Sequence, residues 1–280
     1  MLQCRTSNPV GKNHAFAFVQ QKEAFTKIYN TRHFKMAVML AFWLPFSTLA
    51  LASNHQEKFF SADSLNAWYK KIEPHAIESA DALLAAIPAN KKQSDCLILD
   101  IGANLCACSK RFLQQTNCEV WAFEAVPQYA SFCYERLKRH PRFRVLPLAM
   151  CERPATLDFY LDHANRGWNT METRMTDTKQ GRKTSVLCAP LDNVLPRVNA
   201  KKLIGAKIDT EGAEYRVLAG MHDTLMLSPV PLKIEVGWGP NAHPKWDREA
   251  EQFEWLFTEA GYERIDYNAT STVDVIFRPL

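Results

Sequence analysis

Apolar and polar positions fall into two rhythms that trade places along most of the chain. From Cys96 onward, short apolar runs alternate with stretches whose apolar positions recur every three or four residues, which predicts strands alternating with helices. CLILDI (96–101) is the first strand, Ala107 to Gln115 a helix, EVWAFE (119–124) the second strand, Tyr129 to Arg139 a helix with Pro127 near its start, and RVLPLA (144–149) the third strand. Thr156 to Asp162 then alternates like an extended arm, Asp162 to Lys183 reads as a polar loop, and SVLCAPL (185–191) is a further short β-type segment. LIGAKID (203–209) is a buried strand followed by a helix from Glu214 to Met221; LKIEVGW (232–238) is the next, followed by a helix from Arg248 to Glu259 that Gly261 ends. Glu263–Tyr267 and Thr272–Phe277 close the chain as two alternating runs that suit an antiparallel pair. The expected fold is α/β: a doubly wound, mostly parallel, Rossmann-like sheet with a C-terminal antiparallel hairpin.

Upstream the rhythm is helical throughout. Phe59, Phe60, Leu65, Trp68 and Ile72, then Ile77, Ala80, Leu83, Leu84 and Ile87, recur at three and four and predict two helices bounded by Pro74 and Pro88. Residues 53–95 are thus a helical preamble and 96–280 the main domain. Before them, the uncharged run from Ala37 to Ala52 is short for a membrane span and ends Ala50-Leu51-Ala52, as a cleavage site does. Membrane contact or export through residues 37–52, with Met36 as a candidate start, is expected; a buried helix in a cytoplasmic protein is the alternative.

Charge narrows the partners. The net charge is +4, but residues 1–35 hold Arg5, Lys12, Lys22, Lys27, Arg32 and Lys35 against Glu23, so the tail carries +5 and the body sums to −1. A near-neutral body offers no footprint for nucleic acid. With 47% hydrophobic and 23% charged residues in 280, the chain has the makeup of a packed globular protein. Its eight cysteines mostly sit in apolar runs, which favours reduced, buried thiols, and no CxxC pair calls for a metal.

The ends of the first two strands carry the clearest chemistry. Asp100 ends a buried strand, Gly102 allows a sharp turn into the helix, and Glu124 ends the next strand 24 residues after Asp100. Ligands of open α/β sheets bind beyond such strand ends, and a carboxylate on the second strand can accept both ribose hydroxyls of an adenosine. A nicotinamide dinucleotide would need G-x-G-x-x-G, whereas positions 102, 104 and 107 are Gly, Asn and Ala. An acid in the turn repels a pyrophosphate and suits the positive sulfonium and ammonium of S-adenosylmethionine.

Four blocks in order resemble the FkbM-type methyltransferases: Asp100-Ile101-Gly102-Ala103-Asn104, Phe123-Glu124-Ala125-Val126-Pro127, Pro190-Leu191-Asp192-Asn193-Val194-Leu195, and Lys207-Ile208-Asp209-Thr210-Glu211-Gly212-Ala213-Glu214. The resemblance spans residues 96–237 and implies a class I fold that transfers a methyl group from S-adenosylmethionine to an oxygen of a sugar, polyketide or other small molecule. It also implies that Asp100, Gly102 and Asn104 line the methionine end of the donor, that Glu124 holds the ribose, that Leu148, Ala149 and Met150 flank the adenine, and that Ser109 is the hydroxyl at the helix start. One residue departs from it. Where the family repeats glycine in the first turn this chain has Cys106, whose Cβ and sulfur would sit where backbone should approach the ligand. A catalytically degenerate donor-binding or scaffold protein is therefore the alternative function.

Asp209 and Glu211 follow a buried strand at the edge where the acceptor would meet the donor methyl. Displacement at that methyl needs no acid on the leaving thioether, so the protein must align the acceptor and manage a hydroxyl proton. Asp209 is the expected contact to the acceptor oxygen. Glu235 occupies the family's glutamate position one strand on, and His243, in the loop after it, is a candidate base.

Overall fold

The computed structural model describes residues 61–93, 95–161, 169, 182–235, 255–265 and 274–280. A seven-stranded sheet forms the middle layer: β1 (Leu97–Ile101), β2 (Glu119–Phe123), β3 (Phe143–Leu146), β7 (Leu203–Ile208), β8 (Leu232–Glu235), β9 (Tyr262–Ile265) and β10 (Asp274–Pro279), in the order β3-β2-β1-β7-β8-β10-β9. Strands β3, β2, β1, β7 and β8 run parallel, and β10 lies antiparallel between β8 and β9. Every residue of β1 and β7 is buried. Helices cover both faces of central parallel strands, which is why their sequences read as unbroken apolar runs.

The alternating run 156–162 forms β5 (Ala155–Leu161), which pairs antiparallel with β6 (Arg182–Ala189) along its whole length. RVLPLA is split. Pro147 has no N–H to give a ladder, so β3 stops at Leu146 and β4 (Ala149–Met150) leaves the main sheet to pair parallel with β6. A second sheet of order β4-β6-β5 results, set beside the carboxyl ends of the main strands.

The preamble also differs from expectation. Instead of two helices limited by Pro74, one helix, α1 (Ala62–Ala86), runs through that proline. Ser61 caps its start by accepting from Ser64 N at 3.3 Å. An interior proline costs about 3 kcal/mol, but the apolar stripe continues on both sides of it. Leu65 and Tyr69 are buried in one cluster and Ala80, Leu83, Leu84 and Ile87 in another, so burial outweighs the lost backbone bond. The helix seats closely: a Cβ at Gly205 of β7 would meet Ile87 Cδ1 at 2.7 Å.

Between the strands lie α2 (Ala107–Gln115) and α3 (Pro127–Leu137), then the short turns α4 (Leu191–Val194) and α5 (Arg197–Ala200). The helix expected from Glu214 to Met221 is α6 (Glu214–Ala219), and a further one, α7 (His222–Leu227), follows Gly220. Asp192 explains the restart, since its carboxylate accepts from Asp223 N at 3.0 Å and Thr224 N at 2.8 Å and so caps α7. The expected helix from Arg248 is described only over residues 255–258.

The cysteines correct the expectation of reduced thiols. Cys96 pairs with Cys118, Cys106 with Cys133, and Cys151 with Cys188, at Cα separations of 4.6, 5.5 and 6.0 Å. Apolar surroundings fit a buried disulfide as well as a buried thiol, so composition did not separate the two. Cys108 is the free cysteine among the described residues. Also among those residues, no helix is long and apolar enough to cross a membrane; the run 37–52 lies outside them.

Candidate active site

Strand order reverses at β1: β2 and β3 lie on one side, β7 and β8 on the other. Loops leaving β1 and β7 must part there, and between them opens a cleft. Gly102 and Asn104 line it from β1, Glu124 from β2, Leu148, Ala149 and Met150 from the β3–β4 link, and Asp209, Thr210 and Glu211 from β7. Phe123, Tyr129 and Phe159 supply aromatic surface.

The first turn is wedged between its neighbours. Gly102 N and Ala103 N donate to Phe123 O at 3.0 and 3.1 Å, and Asp209 N donates to Ile101 O at 3.1 Å. Gly102 sits at φ +73°, and a Cβ there would lie 1.8 Å from the Asp209 carbonyl oxygen, so only glycine fits. Asn104 N donates to Glu124 Oε2 at 2.7 Å, and Val126 N to Glu124 Oε1 at 2.8 Å. Glu124 therefore holds the turn in place while each oxygen keeps a second lone pair. Burial pushes its carboxyl up to about 7 against the lowering pull of those two amides.

Beneath the cleft lies a charged knot. Asp100 is fully buried and accepts from Ser109 Oγ at 2.6 Å. Lys207, 4% exposed, places Nζ 2.9 Å from Gly102 O, 3.1 Å from Asp209 Oδ2 and 3.6 Å from Asp100 Oδ1. Burial alone would make Lys207 easier to deprotonate, but Asp209 and Asp100 outweigh it and hold the ammonium well above its ordinary range. Asp209 is pushed the other way: burial raises its carboxyl, and Lys207 more than offsets this, leaving it below the usual carboxylate range.

Asp209, Glu211 and Glu235 each bring a carboxylate oxygen within 4.8 Å of the others. Like charges this close do not all ionise without a cation among them. Burial first, then Asp209, raises both glutamates well above the ordinary value, and a protonated Glu235 donates to Asp209. Glu211 stands at φ +58°. Glu214 shapes that loop, accepting from Thr210 N at 2.7 Å and from Gly212 N at 3.3 Å.

Of the residues expected at the donor, Gly102, Asn104, Glu124 and Ala149 line the cleft. Asp100 and Ser109, both 0% exposed, are bonded to each other below it. Asp209 and Glu211 line the cleft as well, whereas His243 lies outside the described residues. Cys106 does not reach the ligand space as expected, because its sulfur is turned into the core toward Cys133 on α3. Neither Lys207 nor Lys233, fully buried and in register with it on β8, is among the site residues expected from the sequence. A lysine inside an otherwise apolar strand run was the available signal for both.

A family model described as the methyltransferase FkbM domain matches residues 100–263. The 2-O-methyltransferase NoeI of Sinorhizobium fredii is 26% identical over 147 residues, covering 48% of this chain and 60% of that protein, so the chain matches less than two thirds of that relative's length. A crystal structure of methyltransferase FkbM from Methylobacillus flagellatus is 14% identical, with 83% of this chain and 57% of that chain covered and a TM-score of 0.44. A SAM-dependent methyltransferase from Aquifex aeolicus is 8% identical, covering 78% of this chain and 97% of that one, with a TM-score of 0.41. With the model matched from Asp100 to Glu263, more than half of the chain, the protein belongs to the FkbM-type methyltransferases.

Proposed function

We propose that the protein is an S-adenosylmethionine-dependent O-methyltransferase whose acceptor is a hydroxyl of a sugar, polyketide or other small molecule. The convergence of Asn104 and Glu124 with Asp209 in one cleft carries this reading. The residues present fit the donor. Glu124 keeps free lone pairs for ribose hydroxyls, and Asn104 Oδ1 is buried without a hydrogen-bond partner among the described residues, an acceptor fit for an ammonium. Transfer to oxygen draws its support from the 2-O-methyltransferase relative.

When bound, S-adenosylmethionine supplies an electrophilic methyl on a sulfonium that departs as a neutral thioether. Asp209 is the residue we assign to the acceptor: its carboxylate accepts the hydroxyl's hydrogen bond, aligns the oxygen and takes the proton as the new O–C bond forms and the C–S bond breaks. Glu235 stands behind it as a hydrogen-bonded partner, and Lys207 fixes its orientation. Glu211 is assigned to the acceptor side of the same loop.

Calorimetry with S-adenosylhomocysteine tests the donor half, and absence of binding at millimolar ligand sinks the proposal. Glu124→Gln is expected to weaken that binding by about 10- to 150-fold, the loss of charge-assisted bonds worth about 1.5–3 kcal/mol. An unchanged affinity places the ribose elsewhere. Binding is also expected to depend on pH with a definite sign. A carboxyl with its pKa raised to about 7 is neutral below that pH, and the ionised fraction of such a group rises about tenfold between about pH 6 and about pH 8. Affinity should therefore climb across that window and fall on acidification; a flat profile removes Glu124 ionisation from donor binding.

The disulfides support a location as well. Paired cysteines persist in oxidising compartments, and three pairs here agree with export or membrane attachment through residues 37–52. Sequencing the N-terminus of the protein from its native source checks this, with Ser53 as the first residue expected after cleavage.

A further inference from the structure

The turn that follows β1 contains two residues other than glycine in the left-handed region, Asn104 at φ +50° and Cys106 at φ +58°. Asparagine is among the few residues other than glycine that visit that conformation readily, whereas the Cβ of cysteine makes it unfavourable. Cys106 is also the residue before the first turn of α2: its carbonyl accepts from Lys110 N at 3.0 Å, and its side chain makes no capping bond. Locally the turn is closed by the backbone bond from Cys106 N to Ala103 O at 2.7 Å, which does not remove the cost of the Cβ. Its side chain is bonded instead to Cys133 on α3, the helix that begins directly after the Glu124 segment. Cys133 Sγ lies 3.3 Å from the carbonyl oxygen of Asn104, whose own N–H donates to Glu124. With the disulfide closed that sulfur carries no proton, so the contact is one of packing, and it presses on the residue that meets the ribose-binding carboxylate.

We propose that the Cys106–Cys133 disulfide is the positioning element of the donor turn, holding by a covalent cross-link a left-handed conformation that elsewhere requires glycine. It fixes Asn104 against Glu124 before ligand arrives, so donor affinity depends on the left-handed conformation at position 106, which in this chain is held by a bond whose sulfurs lie outside the cleft. This rests on the donor-binding reading above for its affinity consequence, though not for the conformation itself.

The test uses the full chain and two double variants that both lack the cross-link and differ by one methyl group, Cys106→Ala/Cys133→Ala and Cys106→Gly/Cys133→Ala. Calorimetry with S-adenosylhomocysteine is run well below the melting transition, and amide hydrogen exchange over residues 102–110 is followed without ligand. The alanine pair is expected to bind about 5- to 30-fold more weakly than the glycine pair, the cost of a Cβ in the left-handed region, and to exchange faster over the turn. The glycine pair should bind like the unaltered protein although both pairs melt at similarly lowered temperatures, a split that a merely structural cross-link would not produce. Equal affinity and equal exchange in all three proteins overturn the proposal, and so do two double variants weakened to the same degree. Should the alanine pair not fold, Cys133→Ala takes its place with the same expectations. If the unaltered protein fails to bind S-adenosylhomocysteine, the donor reading fails; the exchange comparison then decides the clamp alone.

Discussion

Asp209→Asn is expected to lower methyl transfer by about 10²- to 10⁴-fold, the range over which a positioned proton acceptor contributes, with a much smaller effect on S-adenosylhomocysteine affinity. An amide has nearly the shape of the carboxylate and keeps an oxygen for Lys207 Nζ, which sits 3.1 Å from Asp209 Oδ2. It does not take a proton, and it no longer presents negative charge to an acceptor oxygen that becomes more acidic as it bonds to carbon. The loss should therefore fall on turnover. Transfer of labelled methyl from S-adenosylmethionine onto a panel of mono- and oligosaccharides, measured in single turnover, gives the rate, and calorimetry gives the affinity. A rate within a few-fold of the unaltered protein would move the acceptor contact away from Asp209.

Lys207→Met should do its damage to the fold. The methionine fills much of the same volume but leaves Asp100, with no exposed surface, and Asp209 without their cation. Removing one partner of a buried ion pair costs about 3–5 kcal/mol, equivalent in a protein of this size to a fall in melting temperature of about 6–20 °C. The pH dependence has a sign that separates this from lost packing. In the unaltered protein Asp209 is held below its ordinary pKa, so it contributes stability above the unfolded-state value and loses it as pH falls through the folded one. Without Lys207 that contribution disappears, and the variant's deficit should be largest at neutral pH and shrink on acidification. Thermal melts from neutral to acidic pH check it; a deficit independent of pH would mean that volume, and not charge, is what Lys207 supplies.

How far the sequence revealed these residues depended on whether their role is local. Strand ends and the turn after β1 are short-range features, and Asp100, Gly102, Asn104 and Glu124 could be read from the chain in order. The acid loop Asp209–Glu211 was legible for the same reason. Lys207 was not, because Asp100 and the Gly102 carbonyl reach it from β1 and the turn after it, a convergence visible only once β1 and β7 pair. Pro74 misled in the opposite direction: its local penalty is real, but tertiary burial along α1 overrides it. Pro147 acted on a scale too fine for the apolar pattern, which runs unbroken through a strand the structure divides between two sheets. The cysteine pairs stand 22, 27 and 37 residues apart, and partners at such distances carry no local signature.

The close seating of α1 on Gly205 has a practical corollary for where this enzyme can be cut. The family match begins at Asp100, yet the floor of the sheet beneath β7 is roofed by Leu83 and Ile87, which come before it. A gene trimmed to the matched region would encode a sheet with one greasy side open to water, and such a fragment should aggregate on expression. The folding unit is longer at its front than the region matched by the family model, and any smaller version of the protein has to carry that helix with it.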